Sequence, residues 1–267
     1  MTFKANTHSG LLYYTSQLFT ASSLVKHGFS TRIGGVSRGV SASLNLGLGG
    51  GDKPENIGIN RSLFCDAVGV SDDNIRLARQ EHGDAIFNVM SETDFVPVEE
   101  HRDGFITALP GVPLMIFAAD CLPLLLLDPK ERVIAAIHCG WRGTALDIAG
   151  KAVRMMRESY GCKAENILAA MGPCIMPCHF ITHDDVPEAM IDRFGPDVRP
   201  FCKEIKKGRF GVDLPGINAF ALEREGVRRE NISFSSLCTS CNVDEFYSHR
   251  ITGFKRGVGA GIIALKS

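Results

Sequence analysis

The chain lacks several features that mark whole classes of protein. Its 267 residues carry 29 Lys and Arg against 30 Asp and Glu, a formal net charge of −1. Nucleic acids and anionic membrane surfaces bind clustered positive charge, so this balance argues against both as partners. The longest apolar run, Leu122 to Leu127, is far shorter than the roughly 20 residues of a transmembrane helix. We therefore expect no nucleic-acid partner and no membrane span.

The sequence also lacks signs of export and of modular construction. Met1 to Ser16 has neither the basic region nor the apolar region of a secretory signal, which predicts a cytoplasmic protein. Its nine cysteines are an odd number in a chain too long for a small disulfide scaffold, so we expect free thiols that serve metal binding, catalysis or packing. Without a linker or repeat, residues 1–267 are predicted to form a single compact domain. No feature indicates the oligomeric state.

Short apolar segments dominate the pattern and predict strands. They are Leu24 to Phe29, Ala85 to Met90, Gly104 to Thr107, Leu114 to Ala118, Leu122 to Leu127, Val133 to His138, Ile167 to Met171, Ile232 to Ser235 and Ala260 to Leu265. Several lie too close together for helical crossovers, which predicts antiparallel or mixed pairing. Apolar periodicity predicts helices at Pro54 to Val68, Gly143 to Tyr160, Val186 to Phe194 and Pro215 to Glu225. The expected class is α/β (α+β), with a mixed β-sheet and flanking helices.

The strongest local feature is a cysteine and a histidine at the ends of two apolar strands. Cys121 opens the segment Cys121-Leu122-Pro123, and His138 closes the next strand before Cys139-Gly140. A tight strand pair places the two side chains near each other. They are either a thiolate nucleophile with its base or two ligands of a divalent metal. His82 is a candidate third ligand, and three ligands leave tetrahedral zinc the open position of a catalytic site.

Four other cysteines offer a rival metal site. Cys174 and Cys178 form a C-x3-C pair, and Cys238 and Cys241 form a C-x2-C pair. Together they could make a structural four-cysteine zinc centre, although the first spacing is loose and the two pairs lie about sixty positions apart. The alternative is that Cys174 and Cys178 only fill a turn.

Two arginines and one loop are candidates for anion binding. Arg32 and Arg142 could each grip phosphate or carboxylate, and Trp141 could stack on a base. The glycine-rich loop Gly47 to Gly51 precedes a helix as phosphate cradles do, but it lacks both the P-loop pattern and the dinucleotide-binding pattern. For each feature, a surface ion pair or a turn is the simpler explanation.

Two metal-enzyme signatures are missing. Zinc nucleobase deaminases need H-x-E followed by P-C-x-x-C, and the chain contains neither. Multicopper oxidases need about ten histidines, largely in H-x-H pairs, whereas this chain has eight histidines and no such pair.

The motifs as a set resemble a known family. They are His27-Gly28-Phe29-Ser30-Thr31-Arg32-Ile33-Gly34-Gly35-Val36-Ser37, Leu44-Asn45-Leu46-Gly47, His82, Asp120-Cys121-Leu122-Pro123, His138-Cys139-Gly140-Trp141-Arg142-Gly143, Gly172-Pro173-Cys174-Ile175, Cys238-Thr239 and Phe246-Tyr247-Ser248-His249-Arg250. They cover most of the chain. The sequence is similar to the family first called multicopper polyphenol oxidase or laccase domain proteins, whose members are now described as purine nucleoside phosphorylases with adenosine deaminase activity.

The resemblance implies a fold, a substrate class and a site. The fold would be a mixed α/β sandwich, distantly similar to the deamidase domain of cytotoxic necrotizing factor. Inosine, adenosine and methylthioadenosine would be the substrates, with phosphate. His82, Cys121 and His138 would bind zinc, with copper binding in vitro because the affinity order favours it. In this interpretation Arg32 joins Cys121 and His138 as a catalytic residue, and Asn45, Trp141 and Arg142 bind substrate.

The chain departs from the family pattern at three places. Cys139 stands where alanine is usual, His179-Phe180-Ile181 replaces Tyr-Glu-Val, and Arg250-Ile251 replaces an arginine pair. Three hypotheses follow: a zinc enzyme acting on purine nucleosides, a metal-free cysteine hydrolase or amidase using Cys121 and His138, and a redox-sensing partner protein that uses the cysteine-rich half.

Overall fold

The computed structural model describes residues 3–47, 51–97 and 99–267. Its strands are β1 Phe3–His8, β2 Leu11–Ser16, β3 Val25–Ser30, β4 Ile86–Val89, β5 Gly104–Thr107, β6 Leu114–Ala118, β7 Leu122–Asp128, β8 Val133–Cys139, β9 Leu168–Met171, β10 Ile181–Thr182, β11 Cys202–Lys206, β12 Arg209–Val212, β13 Ile232–Phe234 and β14 Gly259–Leu265. Its α-helices are α1 Gln17–Ser22, α2 Pro54–Val68, α3 Trp141–Ala145, α4 Ile148–Tyr160, α5 Asp185–Phe194, α6 Leu214–Arg224 and α7 His249–Thr252. Among these helices none is long and apolar enough to cross a membrane.

Two large sheets and one small sheet make up the β-structure. A five-stranded sheet has the order β1-β2-β3-β14-β6, and a six-stranded sheet has the order β13-β9-β7-β8-β5-β4. The pairs β13/β9 and β4/β5 are parallel, and β7 pairs antiparallel with both neighbours. The third sheet is β10-β12-β11. The predicted mixed α/β class is confirmed.

The six-stranded sheet is buried on both faces. Leu125 and Leu127 of β7 pack with Ile116 and Ile263 of the five-stranded sheet. Leu124 and Leu126 point to the other face and pack against the helices, among them α4 and α6. Because alternate residues of a strand face opposite sides, a strand covered on both sides is apolar throughout. This is why the central strands are visible as continuous apolar runs in the sequence.

All nine predicted strands form, with ends shifted by at most one residue. The prediction of one helix over Gly143 to Tyr160 is wrong. Asp147 takes a left-handed conformation with φ 62° between α3 and α4. Its carboxylate accepts hydrogen bonds from Arg154 and Arg193, which hold this break in place.

The chain crosses from one sheet to the other between β6 and β7. β6 pairs with β14 in the five-stranded sheet, whereas β7 pairs with β8 in the six-stranded sheet. The crossing is the segment 119–121, in which Asp120 has φ 85°. The glycine-rich loop proposed as an anion cradle contains residues 48–50, which lie outside the described residues.

Candidate metal centre and active site

Three side chains from separate parts of the chain meet at the sheet crossing. His82 lies in the loop between α2 and β4, Cys121 directly precedes β7, and His138 lies in β8. Their ligand atoms all lie within 4.8 Å of one another. His82 is exposed, Cys121 is half-buried and His138 is buried. We call these three residues cluster 1.

The pairing of β7 with β8 brings two of the three donors together. Pro123 lies opposite His138 and Leu122 opposite Cys139 in the antiparallel register. Cys121 therefore sits just beyond the paired segment, beside the end of β8. His82 completes the group through a left-handed backbone conformation with φ 65°.

A buried carboxylate, Asp103, holds two of the donors in place. Its Oδ1 accepts a hydrogen bond from Nδ1 of His138 at 2.8 Å and from the His82 amide at 2.9 Å. Its Oδ2 accepts the amides of Glu81 and Gly83 at 3.2 and 2.9 Å. The hydrogen bond from Nδ1 of His138 leaves the other ring nitrogen, Nε2, to face the cluster. A carboxylate bound to the far nitrogen of a histidine fixes the ring and increases its basicity as a metal ligand.

The electrostatics of cluster 1 favour a thiolate. Burial raises the pKa of the Cys121 thiol, but the charge of His138 and hydrogen bonds from His138 and His82 outweigh burial and lower that pKa to about 6. Burial lowers the pKa of His138, yet Cys121 and Asp103 more than compensate and raise it to about 9. Without a metal, the two groups thus form a thiolate and imidazolium pair at neutral pH.

A second buried carboxylate, Asp120, fixes the backbone next to Cys121. Four groups donate hydrogen bonds to it: the hydroxyls of Thr239, Ser240 and Ser248 and the backbone amide of Arg250, at 2.6, 3.4, 3.1 and 2.6 Å. A left-handed conformation at a residue other than glycine is unfavourable, and it persists where the surroundings impose it. The hydrogen bonds to Asp120 supply that constraint, so the position of Cys121 depends on the segment 239–250.

The donor set of cluster 1 fits zinc. Two imidazole nitrogens and one thiolate sulfur are ligands that zinc takes, and three protein ligands leave one position open. Gly140 leaves the space for them, because a Cβ there would lie 2.7 Å from Cδ2 of His82 and 3.4 Å from Sγ of Cys121. The neighbouring thiol, Cys139, points into the core beneath the helices instead. Burial raises its pKa well above the usual value.

Trp141 and Arg142 follow cluster 1 directly in the chain. They open α3, and the Arg142 guanidinium lies over the Trp141 ring at 4.3 Å from its centroid. Arg142 is exposed and Trp141 is half-buried. Their predicted roles in binding substrate stay predictions.

Arg32 and Asn45 are engaged in bonds that organise the protein. Arg32 donates to the carbonyls of Ala42 and Val243 and lies over the Tyr247 ring. Asn45 is fully buried; its amide nitrogen donates to Asp52, and its oxygen accepts the amides of Gly47 and Val258. The structure shows no shared contact between these two side chains and cluster 1 among the described residues, and their substrate roles stay predictions.

The four-cysteine metal site considered from the sequence is wrong in one ligand, Cys174. The structure groups Cys178, Cys238 and Cys241 with His179, and we call these four residues cluster 2. Cys174 is absent from the group because it is packed in the core beneath the helices, where its backbone pairs with Cys238. All nine cysteines are free thiols.

Sequence reasoning missed the role of both supporting carboxylates. Asp103 stands immediately before the wholly buried strand β5, which is an unusual place for a charge. That position was the available signal. Asp120 lies inside a quoted motif, but its hydrogen bonds to residues more than a hundred positions away leave no trace in the local sequence.

Fold and cluster together define a mixed α/β protein with a Cys/His site that is open on one side. A family model described as multi-copper polyphenol oxidoreductase laccase matches residues 26–266. The chain belongs to this family, as its motifs predicted.

Relatives of known name agree with this assignment. Purine nucleoside phosphorylase YlmD of Geobacillus stearothermophilus is 32% identical over 229 residues, which cover 84% of each chain. A purine nucleoside phosphorylase of Deinococcus radiodurans is 35% identical over 241 residues, covering 90% of this chain and 89% of the relative. The crystal structure of YlmD from Geobacillus stearothermophilus matches with a TM-score of 0.91 at 29% identity over 99% of both chains. These names support an enzyme.

Proposed function

We propose that the chain is a zinc-dependent purine nucleoside phosphorylase that also deaminates adenosine. It would convert inosine, adenosine and methylthioadenosine to the free base and the corresponding ribose 1-phosphate. The observation that carries the proposal is cluster 1, whose three donor atoms lie within 4.8 Å of one another beside an ordered carboxylate. Relatives named purine nucleoside phosphorylase support the substrate class.

His82, Cys121 and His138 would hold the metal. Zinc held by these residues would supply a Lewis acid for a substrate oxygen or for water, a chemistry that suits both phosphorolysis and deamination. Asp103 keeps Nδ1 of His138 protonated and directs its Nε2 to the site. The exposed side of the cluster, at His82, gives access to substrate, whereas buried His138 lies on the side away from water.

The neighbouring residues would position substrate. In phosphorolysis a phosphate oxygen forms a bond to C1′ of the ribose while the bond from C1′ to the purine nitrogen breaks, and the purine takes up a proton. Arg142 is exposed, lies four positions after His138 in the chain and would bind phosphate through its fork of donors. Trp141 would stack on the base. Arg32 stays a predicted catalytic residue and Asn45 a predicted substrate-binding residue; in the structure both side chains bind protein groups.

The test is an assay of metal-quantified protein with adenosine and inosine, with and without phosphate. We expect free base only in the presence of phosphate, inosine from adenosine in its absence, and loss of both in Cys121→Ala. Cys202→Ser is the matched control, because Cys202 is a half-buried thiol outside both clusters. Full turnover by zinc-free Cys121→Ala would overturn the proposal.

One observation favours a second candidate, a metal-free cysteine hydrolase or amidase. Cys121, His138 and Asp103 form a chain of thiolate, imidazolium and carboxylate, the arrangement that activates a nucleophile. When Nε2 of a histidine carries a proton, its lone pair is not available to bind a metal. The metal enzyme and the metal-free hydrolase therefore exclude each other. Chelation abolishes the metal enzyme and spares the hydrolase, whereas alkylation of Cys121 abolishes the hydrolase.

A further inference from the structure

Cluster 2 joins two segments that lie far apart in the chain. Cys178 and His179 follow β9, and Cys238 and Cys241 lie in the turn after β13. The Cys178 sulfur lies 3.7 Å from that of Cys238 and 3.6 Å from that of Cys241. Nδ1 of His179 lies 3.4, 3.9 and 3.4 Å from the sulfurs of Cys178, Cys238 and Cys241. All four donor atoms fall within 4.8 Å of one another.

These separations are those of a metal tetrahedron. Four ligands at Zn–S and Zn–N distances of about 2.3 and 2.0 Å place two sulfurs about 3.8 Å apart and a sulfur and a nitrogen about 3.5 Å apart. The five distances in cluster 2 scatter from 3.4 to 3.9 Å around these values. A disulfide would hold two sulfurs about 2.0 Å apart, so none of these sulfurs is bonded to another in the structure.

Backbone amides also point at one of the sulfurs. The amides of Met176, Cys241 and Ser240 donate hydrogen bonds to the Cys238 sulfur. Amides that donate to a sulfur stabilise its thiolate form, which is the form that binds metal. Thiol hydrogen bonds alone are weak and give little reason to gather three cysteines and a histidine at one point.

We propose that cluster 2 binds a second zinc ion, coordinated by Cys178, His179, Cys238 and Cys241. Three sulfurs and one nitrogen complete the tetrahedron, so this site leaves no position for substrate and is structural. It lies outside cluster 1 and shares no ligand with it.

The position of cluster 2 indicates that the ion would stabilise the segment that binds Asp120. The turn between its two C-terminal ligands contains Thr239 and Ser240, whose hydroxyls bind Asp120. The side chain of Arg250, whose amide binds the same carboxylate, donates to the carbonyl of His179. A metal that fixes this turn would therefore fix the donors that hold Asp120, and through it the backbone of Cys121.

The test is the zinc content of protein purified without chelator. We expect about two ions per chain, a loss of about one in Cys241→Ser and a loss of about one in Cys121→Ala. Cys241 is exposed, so its replacement leaves the core intact. Cys174→Ala and Cys202→Ser should keep both ions, which distinguishes a three-cysteine and one-histidine site from the four-cysteine alternative.

Cobalt gives a readout that is independent of activity. In the Cys121→Ala background only cluster 2 can bind, and the thiolate-to-cobalt absorption should have the strength of three thiolates in a tetrahedral field. Cys241→Ser should weaken it in proportion. Zinc content unchanged by Cys241→Ser, or a Cys178–Cys241 disulfide in the purified protein, would overturn the inference. Neither result would touch the proposed function, which fails only through Cys121→Ala.

Discussion

The two clusters use the same kinds of side chain to different ends. Cluster 1 has three donors from three parts of the chain, and a buried carboxylate orients one of its histidines. Cluster 2 has four donors from two short segments, and backbone amides surround its most buried sulfur. An incomplete set of ligands with an oriented histidine suits chemistry, whereas a complete set suits a cross-link. The number of donors and the nature of their support separate the two roles.

Metal removal should have the largest effect of the tests that distinguish the two clusters. We expect rising chelator concentration to abolish turnover first, by about 10³-fold or more, because cluster 1 has only three ligands and an exposed His82. The melting temperature should fall by about 5 °C or more only at higher chelator concentration, when cluster 2 loses its ion. Activity and thermal unfolding measured on one chelator series decide the matter. Parallel loss of both would remove the distinction between the clusters.

Asp103→Asn tests the carboxylate support of cluster 1. The variant places an amide group against backbone amides that now donate to a carboxylate oxygen, and it weakens the hold on His138. We expect metal affinity or turnover at cluster 1 to fall by about 10- to 100-fold, with cluster 2 unaffected. Asp84→Asn is the control, since Asp84 pairs with Lys151 on the surface. Equal effects of the two variants would show that Asp103 has no special role.

His27 provides a contrast to His138 of cluster 1. It is buried, and among the described residues it has no acidic partner. Burial lowers its pKa to about 4, whereas Asp103 and Cys121 help to raise that of His138. The unfolded chain binds a proton near pH 6.5 and the folded one only near 4, so stability is complete above about 6.5 and declines as pH falls toward 4. The full loss is about 3 kcal/mol.

His27→Gln should remove this part of the pH dependence. Glutamine can still accept the Ser16 amide, which now donates to Nε2 of His27 at 2.9 Å. Urea unfolding of both proteins between pH 4 and 7 measures the difference. The same slope in the variant would show that His27 does not titrate in this range.

Most of the fold could be predicted because the central strands are covered on both faces. Two of the strands that escaped prediction are mostly exposed: β1 has four exposed residues out of six, and β11 has four out of five. Without burial these segments carry no apolar pattern. The break at Asp147 escaped because a helical periodicity continues through it, and only the ion pairs with Arg154 and Arg193 reveal it.

The site could be predicted in part for similar reasons. Cys121 and His138 stand at the ends of adjacent apolar strands, so their proximity follows from strand pairing. Asp103 acts through amides of a distant loop, which no local pattern encodes. His179 was passed over because spacing drew attention to Cys174, whose side chain the fold directs into the core.

Because the chain crosses between the two large sheets at Asp120, the geometry of cluster 1 depends on how these sheets are aligned. Cys121 is tied on one side to β6 in the five-stranded sheet, and His138 belongs to the six-stranded one. A substitution in the apolar layer between the sheets, far from any substrate, would shift these two donors relative to each other. Turnover therefore depends on the packing of that layer as well as on the residues of the cluster.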